Sequence, residues 1–62
     1  MVYNREKSMT SNQLQAWRKK NNYSQAALAR ILGVDVMTVS RWEREVREIP
    51  PFLHLALKYL AQ

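Results

Sequence analysis

Residues 38–45, TVSRWERE, bring together side chains that could bind an anionic partner. Arg41 and Arg44 carry guanidinium groups, whose planar fork of N–H donors matches a phosphate or the O6/N7 edge of guanine. Ser40 adds a hydroxyl that can donate or accept a hydrogen bond, and Trp42 stands between the two arginines. This composition fits a solvated, salt-bridged helix surface, but it also fits a helix with one side in a core and the other against a charged partner.

A helix over residues 36–44 separates these side chains onto two sides, since successive residues are about 100° apart. Val39 and Trp42 fall together and predict an apolar face that packs against the rest of the domain. The opposite side carries two guanidinium groups, a hydroxyl and an apolar tip, in Arg41, Arg44, Ser40 and Met37. A merely soluble face could also carry two arginines, but the glutamates that usually balance them are absent from this arc. We therefore interpret the arc as a contact surface for nucleic acid, where Met37 is suited to a thymine methyl group.

Glu43 falls between the two sides of this helix, at the edge of the predicted core. A carboxylate in that position is costly unless it is paired. The best-placed partner is Arg18, on the first predicted helix. The sequence therefore predicts a partly buried Arg18–Glu43 ion pair that joins the first helix to the third.

The composition points away from catalysis and towards a polyanionic partner. The chain has 62 residues, enough for one small domain, and no cysteine for a disulfide, a thiolate metal site or a nucleophile. The only histidine, His54, has no second histidine or cysteine beside which to act, so we expect no enzyme, no metal and no cofactor. Ten Lys and Arg residues against five Asp and Glu residues give a formal net charge of +5. Such a charge favours nucleic acid, although a positive surface can also serve solubility alone.

No apolar run is long enough to span a bilayer, and the N-terminal residues lack the apolar core of a signal peptide. We therefore expect a cytoplasmic protein with no membrane partner. Residues 1–9, which include Arg5 and Lys7, are polar and aperiodic and predict a flexible arm. Residues 10–62 form the predicted domain.

Helix start and stop signals predict four helices, with a fifth left open. Thr10 or Ser11 begins the first helix, and Asn21 and Asn22 follow its last residue, Lys20. Ser24 caps a second helix that ends before Gly33, with the apolar residues Leu28, Ala29, Ile31 and Leu32 predicted to face inward.

Asp35 caps the third helix, so only a short turn separates it from the second. Pro50 and Pro51 are predicted to start the fourth helix, PFLHLALKYLAQ, with proline in its first turn. The expected fold is a compact all-α domain.

The fourth helix carries more apolar surface than one small core can cover. Its apolar residues span roughly 200° of the helical wheel and leave only His54 and Lys58 on the polar side. We predict that the edge formed by Leu55 and Tyr59 is buried against a second copy, giving a homodimer, or against another protein. The alternative is that the first helix and the N-terminal arm cover it.

Residues 25–44, QAALARILGVDVMTVSRWER, closely resemble the helix-turn-helix of the phage repressor and Cro-like family, also called the XRE family. The resemblance rests on a small residue at Ala29, glycine at Gly33, and apolar residues at Leu28, Leu32, Val34, Val39 and Trp42. The flanking segments LQAWRKKNNYSQ and RWERE-x-RE-x-P also resemble the family, so that it covers about residues 11–60.

The resemblance implies a lambda-repressor-like fold that binds double-stranded DNA, with residues 36–44 in the major groove and residues 25–32 crossing the backbone. Carried over by position, the residues facing base edges are Val36, Met37, Ser40 and Arg41. Those facing phosphates are Ser24, Gln25, Thr38, Arg44 and Arg47. The family also often pairs the arginine and glutamate that match Arg18 and Glu43. It implies a bacterial or phage-encoded protein of the nucleoid.

Two departures from the family pattern carry further expectations. Glu45 stands where the family usually has glycine, so we expect the third helix to extend by part of a turn and to alter the path of residues 46–49. Many relatives form their dimer with a fifth helix, whereas this chain stops in or just after the fourth. Either the fourth helix is the dimer surface, or two copies meet only on DNA.

The leading expectation is a sequence-specific transcriptional repressor, or a DNA-binding antitoxin, that occupies an operator. An excision or transposition accessory module would share the same DNA chemistry. The alternative from another class is an adaptor that keeps the fold but binds a protein through its apolar fourth helix. The basic face of the third helix favours DNA, because an adaptor does not need it.

Overall fold

A computed structural model of the chain describes residues 9–61. It contains four helices in this part and no strand: α1 (Ser11–Lys20), α2 (Gln25–Leu32), α3 (Val36–Glu43) and α4 (Leu53–Leu60). The predicted all-α fold is confirmed. The predicted arm lies outside the described residues except for Met9, which packs against the core.

Side-chain caps begin the first three helices at the predicted positions. The Thr10 hydroxyl accepts a hydrogen bond from the Gln13 backbone N–H at 3.1 Å, and the Gln13 side chain accepts one from the Thr10 N–H at 3.0 Å. This reciprocal pair satisfies two backbone donors that the helix itself cannot satisfy. Ser24 and Asp35 cap α2 and α3 through their side-chain oxygens. Each cap therefore fixes its helix start from residues only two or three positions away.

A residue with a left-handed backbone follows each of these three helices. These residues are Asn22 (φ 63°), Gly33 (φ 74°) and Glu45 (φ 61°). After each one, the next N–H bonds to the carbonyl five residues back, at 2.9 Å for Tyr23 to Arg18, 3.0 Å for Val34 to Ala29, and 2.9 Å for Val46 to Arg41. These bonds close the helix ends and satisfy carbonyls left open by the helical pattern.

The predicted extension of α3 is wrong, because Glu45 adopts the left-handed conformation that a glycine would adopt. The helix ends at Glu43, and the N–H groups of Val46 and Arg47 both bond to the Arg41 carbonyl. A non-glycine residue pays about 1–2 kcal/mol for this conformation. The two hydrogen bonds, together with the burial of Ile49 further along the loop, offset that cost.

The core lies where α3 meets α1 and α2. Its buried apolar residues are Leu14, Leu28, Ala29, Val39, Trp42, Ile49, Leu53 and Leu57. Ile31 does not belong to this core, contrary to prediction, and its side chain is 47% exposed. On the α2 wheel it lies at the edge of the arc centred on Leu28 and Leu32, beyond the side that α1 and α3 cover.

The fourth helix begins later than predicted. Pro51 and Phe52 form a turn, and α4 starts at Leu53, whose N–H bonds to the Pro50 carbonyl at 3.1 Å. No side chain caps this start. The prolines therefore direct the chain into the helix and do not form its first turn. None of the helices in the described part has the length and apolar character needed to cross a membrane.

Candidate nucleic-acid interface

One side of α3 is open to a partner. The four residues predicted to contact bases, Val36, Met37, Ser40 and Arg41, occupy positions that share one face of a helix. Val36 and Met37 are 42% and 49% exposed, whereas Ser40 and Arg41 are half-buried. The structure therefore brings a hydroxyl, a guanidinium and two apolar side chains to a single surface, which we call the α3 outer face.

Residues on the opposite side of α3 fix the orientation of this face. Val39 and Trp42 are buried in the core, as predicted from the helical wheel. Leu28 and Ala29 of α2 are also buried there, and the small Ala29 side chain permits close approach of helices. Gly33 supplies the left-handed turn between the two helices. The α3 outer face is thus carried by a helix with a packed inner side.

Glu43 is buried and is held by two other side chains. Arg18 Nε lies 2.6 Å from Glu43 Oε2, and Arg18 Nη2 donates to Glu43 Oε1 at 3.0 Å. This two-point contact joins α1 to α3. Gln25 Nε2 also donates to Glu43 Oε1, at 3.0 Å. Glu43 therefore connects three helices, since Gln25 is the first residue of α2.

Burial and hydrogen bonding act on the Glu43 carboxyl in opposite directions. Burial raises its pKa, but the hydrogen bonds from Arg18 and Gln25, aided by the charges of Arg18 and Lys19, hold the pKa below its ordinary value. The hydrogen bonding between Arg18 and Glu43 is also the main reason why the pKa of Arg18 is raised. Both groups are therefore charged at neutral pH, and the pair is an ionic one.

Further contacts to this pair involve residues that sequence reasoning did not single out. Gln15 Nε2 donates to the Glu43 backbone carbonyl at 3.1 Å, and Arg18 Nη1 donates to the Tyr23 carbonyl at 3.0 Å. Gln15 lies three residues before Arg18, a spacing that puts both on one face of α1 and could have indicated its role. Tyr23 also stacks on Trp17, with ring centroids 5.6 Å apart.

The residues predicted to contact phosphates differ in their exposure and in the hydrogen bonds that they already make. The Ser24 hydroxyl accepts the Ala27 N–H as a cap, and Gln25 donates to Glu43. Thr38 is half-buried, whereas Arg44 and Arg47 are exposed. The first backbone N–H groups of α2, beside Ser24 and Gln25, have no helical partner and carry the positive end of the helix dipole. Donors to an anion are therefore present at the start of α2 and after the end of α3.

A second open surface lies on α4 and its preceding turn. Phe52, Leu55 and Tyr59 are exposed, with Leu55 at 59% and Tyr59 at 73%, whereas Leu53 and Leu57 are buried. We call the three exposed residues the α4 apolar face. His54 lies outside it and its Nδ1 is 2.7 Å from the Pro51 carbonyl oxygen. The described residues contain no cluster of three or more side chains suited to hold a metal ion.

Comparison with known families gives a match. The family model described as helix-turn-helix matches residues 14–55, which is more than half of the chain. The matched segment begins in α1, contains α2 and α3, and ends in α4. Comparison with curated proteins and with solved structures yields no match.

Proposed function

Because the chain belongs to the helix-turn-helix family of XRE and Cro-like DNA-binding regulators, we propose that it is a sequence-specific repressor whose helix α3 enters the major groove. The α3 outer face carries this proposal. It combines exposed apolar and basic side chains on a helix whose inner side is buried. In proteins with this motif the second helix of the pair reads bases and the first crosses the backbone.

Base reading is assigned to Val36, Met37, Ser40 and Arg41. Arg41 is the residue suited to guanine, because its guanidinium can donate to O6 and N7 together. Ser40 can donate or accept and therefore tolerates more than one base. Loss of Arg41 should relax the preference at one base pair.

Phosphate binding is assigned to Ser24, Gln25, Thr38, Arg44 and Arg47. Gln25 has two amide hydrogens, of which one is donated to Glu43, so the other can serve a phosphate. A phosphate at this point would also meet the N-terminal end of α2. Arg44 and Arg47 follow the last residue of α3 and are exposed, so they would bind another phosphate near that end of the helix.

The decisive experiment is selection from a randomised duplex pool, followed by a salt series on the enriched site. We expect enrichment of a defined sequence, with log Kobs falling by about 0.9 per decade of salt concentration for each phosphate neutralised. Arg41→Ala should cost roughly 1–3 kcal/mol and flatten one position of the site. Arg44→Ala is the matched control, since it should weaken all sequences alike and reduce the salt slope by about one.

A protein-binding adaptor is the second candidate, and the α4 apolar face favours it. Exposed contiguous apolar residues often mark interaction surfaces. An adaptor would show no enriched sequence and a salt slope near zero in the same experiment. That result would overturn the repressor proposal.

A further inference from the structure

The first two residues of α3 make the leading end of the α3 outer face apolar. Val36 and Met37 expose 42% and 49% of their surface, on the same side of α3 as Arg41. Neither belongs to the core, nor is either among the partly buried residues packed against it. The core therefore does not account for the apolar character of these two exposed side chains.

The major groove offers few groups that an apolar side chain can bind. Most groups on the base edges are hydrogen-bond donors or acceptors, and burying them under Val or Met without a partner is costly. The C5 methyl group of thymine is the apolar exception. An apolar leading end should therefore favour thymine and penalise bases whose polar edges it would cover.

We propose that Val36 and Met37 read thymine through its methyl group, so that the selected site contains thymine beside the guanine bound by Arg41. This inference rests on the proposed function, because it requires α3 in the major groove. It adds the chemical identity of the bases that the apolar end selects. Arg41 lies about one helical turn further along α3, so the thymines and the guanine should lie within a few base pairs of one another.

Replacing thymine by deoxyuridine tests the proposal, because it removes only the methyl group. Each thymine of the selected site is replaced in turn, and the dissociation constant of the unmodified protein is measured. Loss of one buried methyl should weaken binding about fourfold. We expect such a loss at one or two positions close to the guanine that Arg41→Ala identifies.

A double-mutant cycle connects the methyl to the side chain. Val36→Ala and Met37→Ala are each measured on the thymine and the deoxyuridine duplex, and the non-additive part isolates the contact. At least one variant should lose most of its sensitivity to the methyl. Thr38→Ala is the matched control on the same helix, and it should weaken both duplexes by the same factor. Thermal unfolding of each variant shows whether the fold is retained, and the deoxyuridine series tests sensitivity to the methyl group without any variant.

The outcomes separate this inference from the proposed function. A selected site that is insensitive to deoxyuridine overturns thymine reading and leaves the repressor proposal standing. Methyl sensitivity that neither Val36→Ala nor Met37→Ala removes also overturns it, since another residue then makes the contact. Absence of any selected site overturns both. Methyl sensitivity that disappears with one of the two variants supports both.

Discussion

At the scale of single residues, Glu43 shows how a buried charge can link three helices. Its two carboxylate oxygens accept hydrogen bonds from Arg18 and Gln25, and its backbone carbonyl accepts one from Gln15. Removing the charge would leave the guanidinium of Arg18 without its counterion. The pair therefore stabilises the fold less by its own attraction than by avoiding an unpaired buried charge.

Glu43→Gln should lower the free energy of unfolding by about 1.5–3 kcal/mol, because it removes the charge-assisted hydrogen bonds to Arg18 while keeping nearly the same volume. Urea unfolding followed by circular dichroism measures the change. Glu45→Gln is the matched control, since Glu45 is exposed. Equal losses for the two variants would contradict the structural role of the pair.

The pKa of Glu43 predicts how this stabilisation depends on pH. Because the folded-state pKa is held below its ordinary value of 4.5, the contribution is complete above about pH 4.5 and is lost as the pH falls through the folded pKa. The difference in unfolding free energy between the unaltered protein and Glu43→Gln should be constant from pH 7 to pH 5 and shrink below that. A difference that stays constant to pH 3 would show that protonation of Glu43 is not coupled to folding.

At the scale of helices, the end of α3 is the place where local preference and observed conformation disagree. Glu45 takes a left-handed backbone that costs a non-glycine residue free energy, whereas Gly33 takes the same conformation without a side chain. The bonds from Val46 and Arg47 to the Arg41 carbonyl hold the turn in place. This turn also leads the chain to Arg47, a proposed phosphate contact.

Glu45→Gly should raise the free energy of unfolding by about 0.5–1 kcal/mol, since relief of strain exceeds the added entropy of the unfolded chain. Gly33→Ala tests the converse, because it places a side chain on a left-handed residue and should lower the free energy of unfolding. No atom lies within 4 Å of a Cβ added there, so its expected loss reports backbone strain alone. Thermal unfolding measures both. A loss of stability in Glu45→Gly would mean that the glutamate side chain contributes more than its backbone costs.

At the scale of the whole molecule, the two open surfaces would serve different partners. The α3 outer face would meet DNA, and the sequence predicts that the α4 apolar face meets a second copy of the chain. A net charge of +5 supports approach to DNA at long range. A two-fold dimer would require an operator with two inverted half-sites about one helical turn, ~34 Å, apart.

Leu55→Asp should weaken self-association, because it places a charge in the centre of the proposed dimer contact. Leu55 is exposed, so the variant should keep its fold. Sedimentation measures association, and binding to the full operator should fall while binding to an isolated half-site is unchanged. Unchanged association would show that the α4 apolar face is not the dimer surface. Lys58→Asp, on the same helix, is the control for added charge.

The sequence alone determined the starts of α1, α2 and α3 and the two sides of α3. Caps at Thr10, Ser24 and Asp35 act within three residues, and helical periodicity assigns Val39 and Trp42 to the core without knowledge of the fold. Such features depend on neighbours along the chain, which the sequence displays directly. The same wheel also put Glu43 at the edge of the core, where a carboxylate needs a partner.

Only the tertiary structure decided features that depend on what packs nearby. Gln25 and Gln15 reach Glu43 from 18 and 28 residues away, and only the packing of the helices brings these atoms within hydrogen-bond distance. Ile31 is exposed because none of the four described helices covers its side of α2, and Glu45 turns left-handed because the loop after it must return Ile49 to the core. Departing from a local backbone preference costs about 1–2 kcal/mol, so burial and hydrogen bonds made over long sequence separations can override that preference.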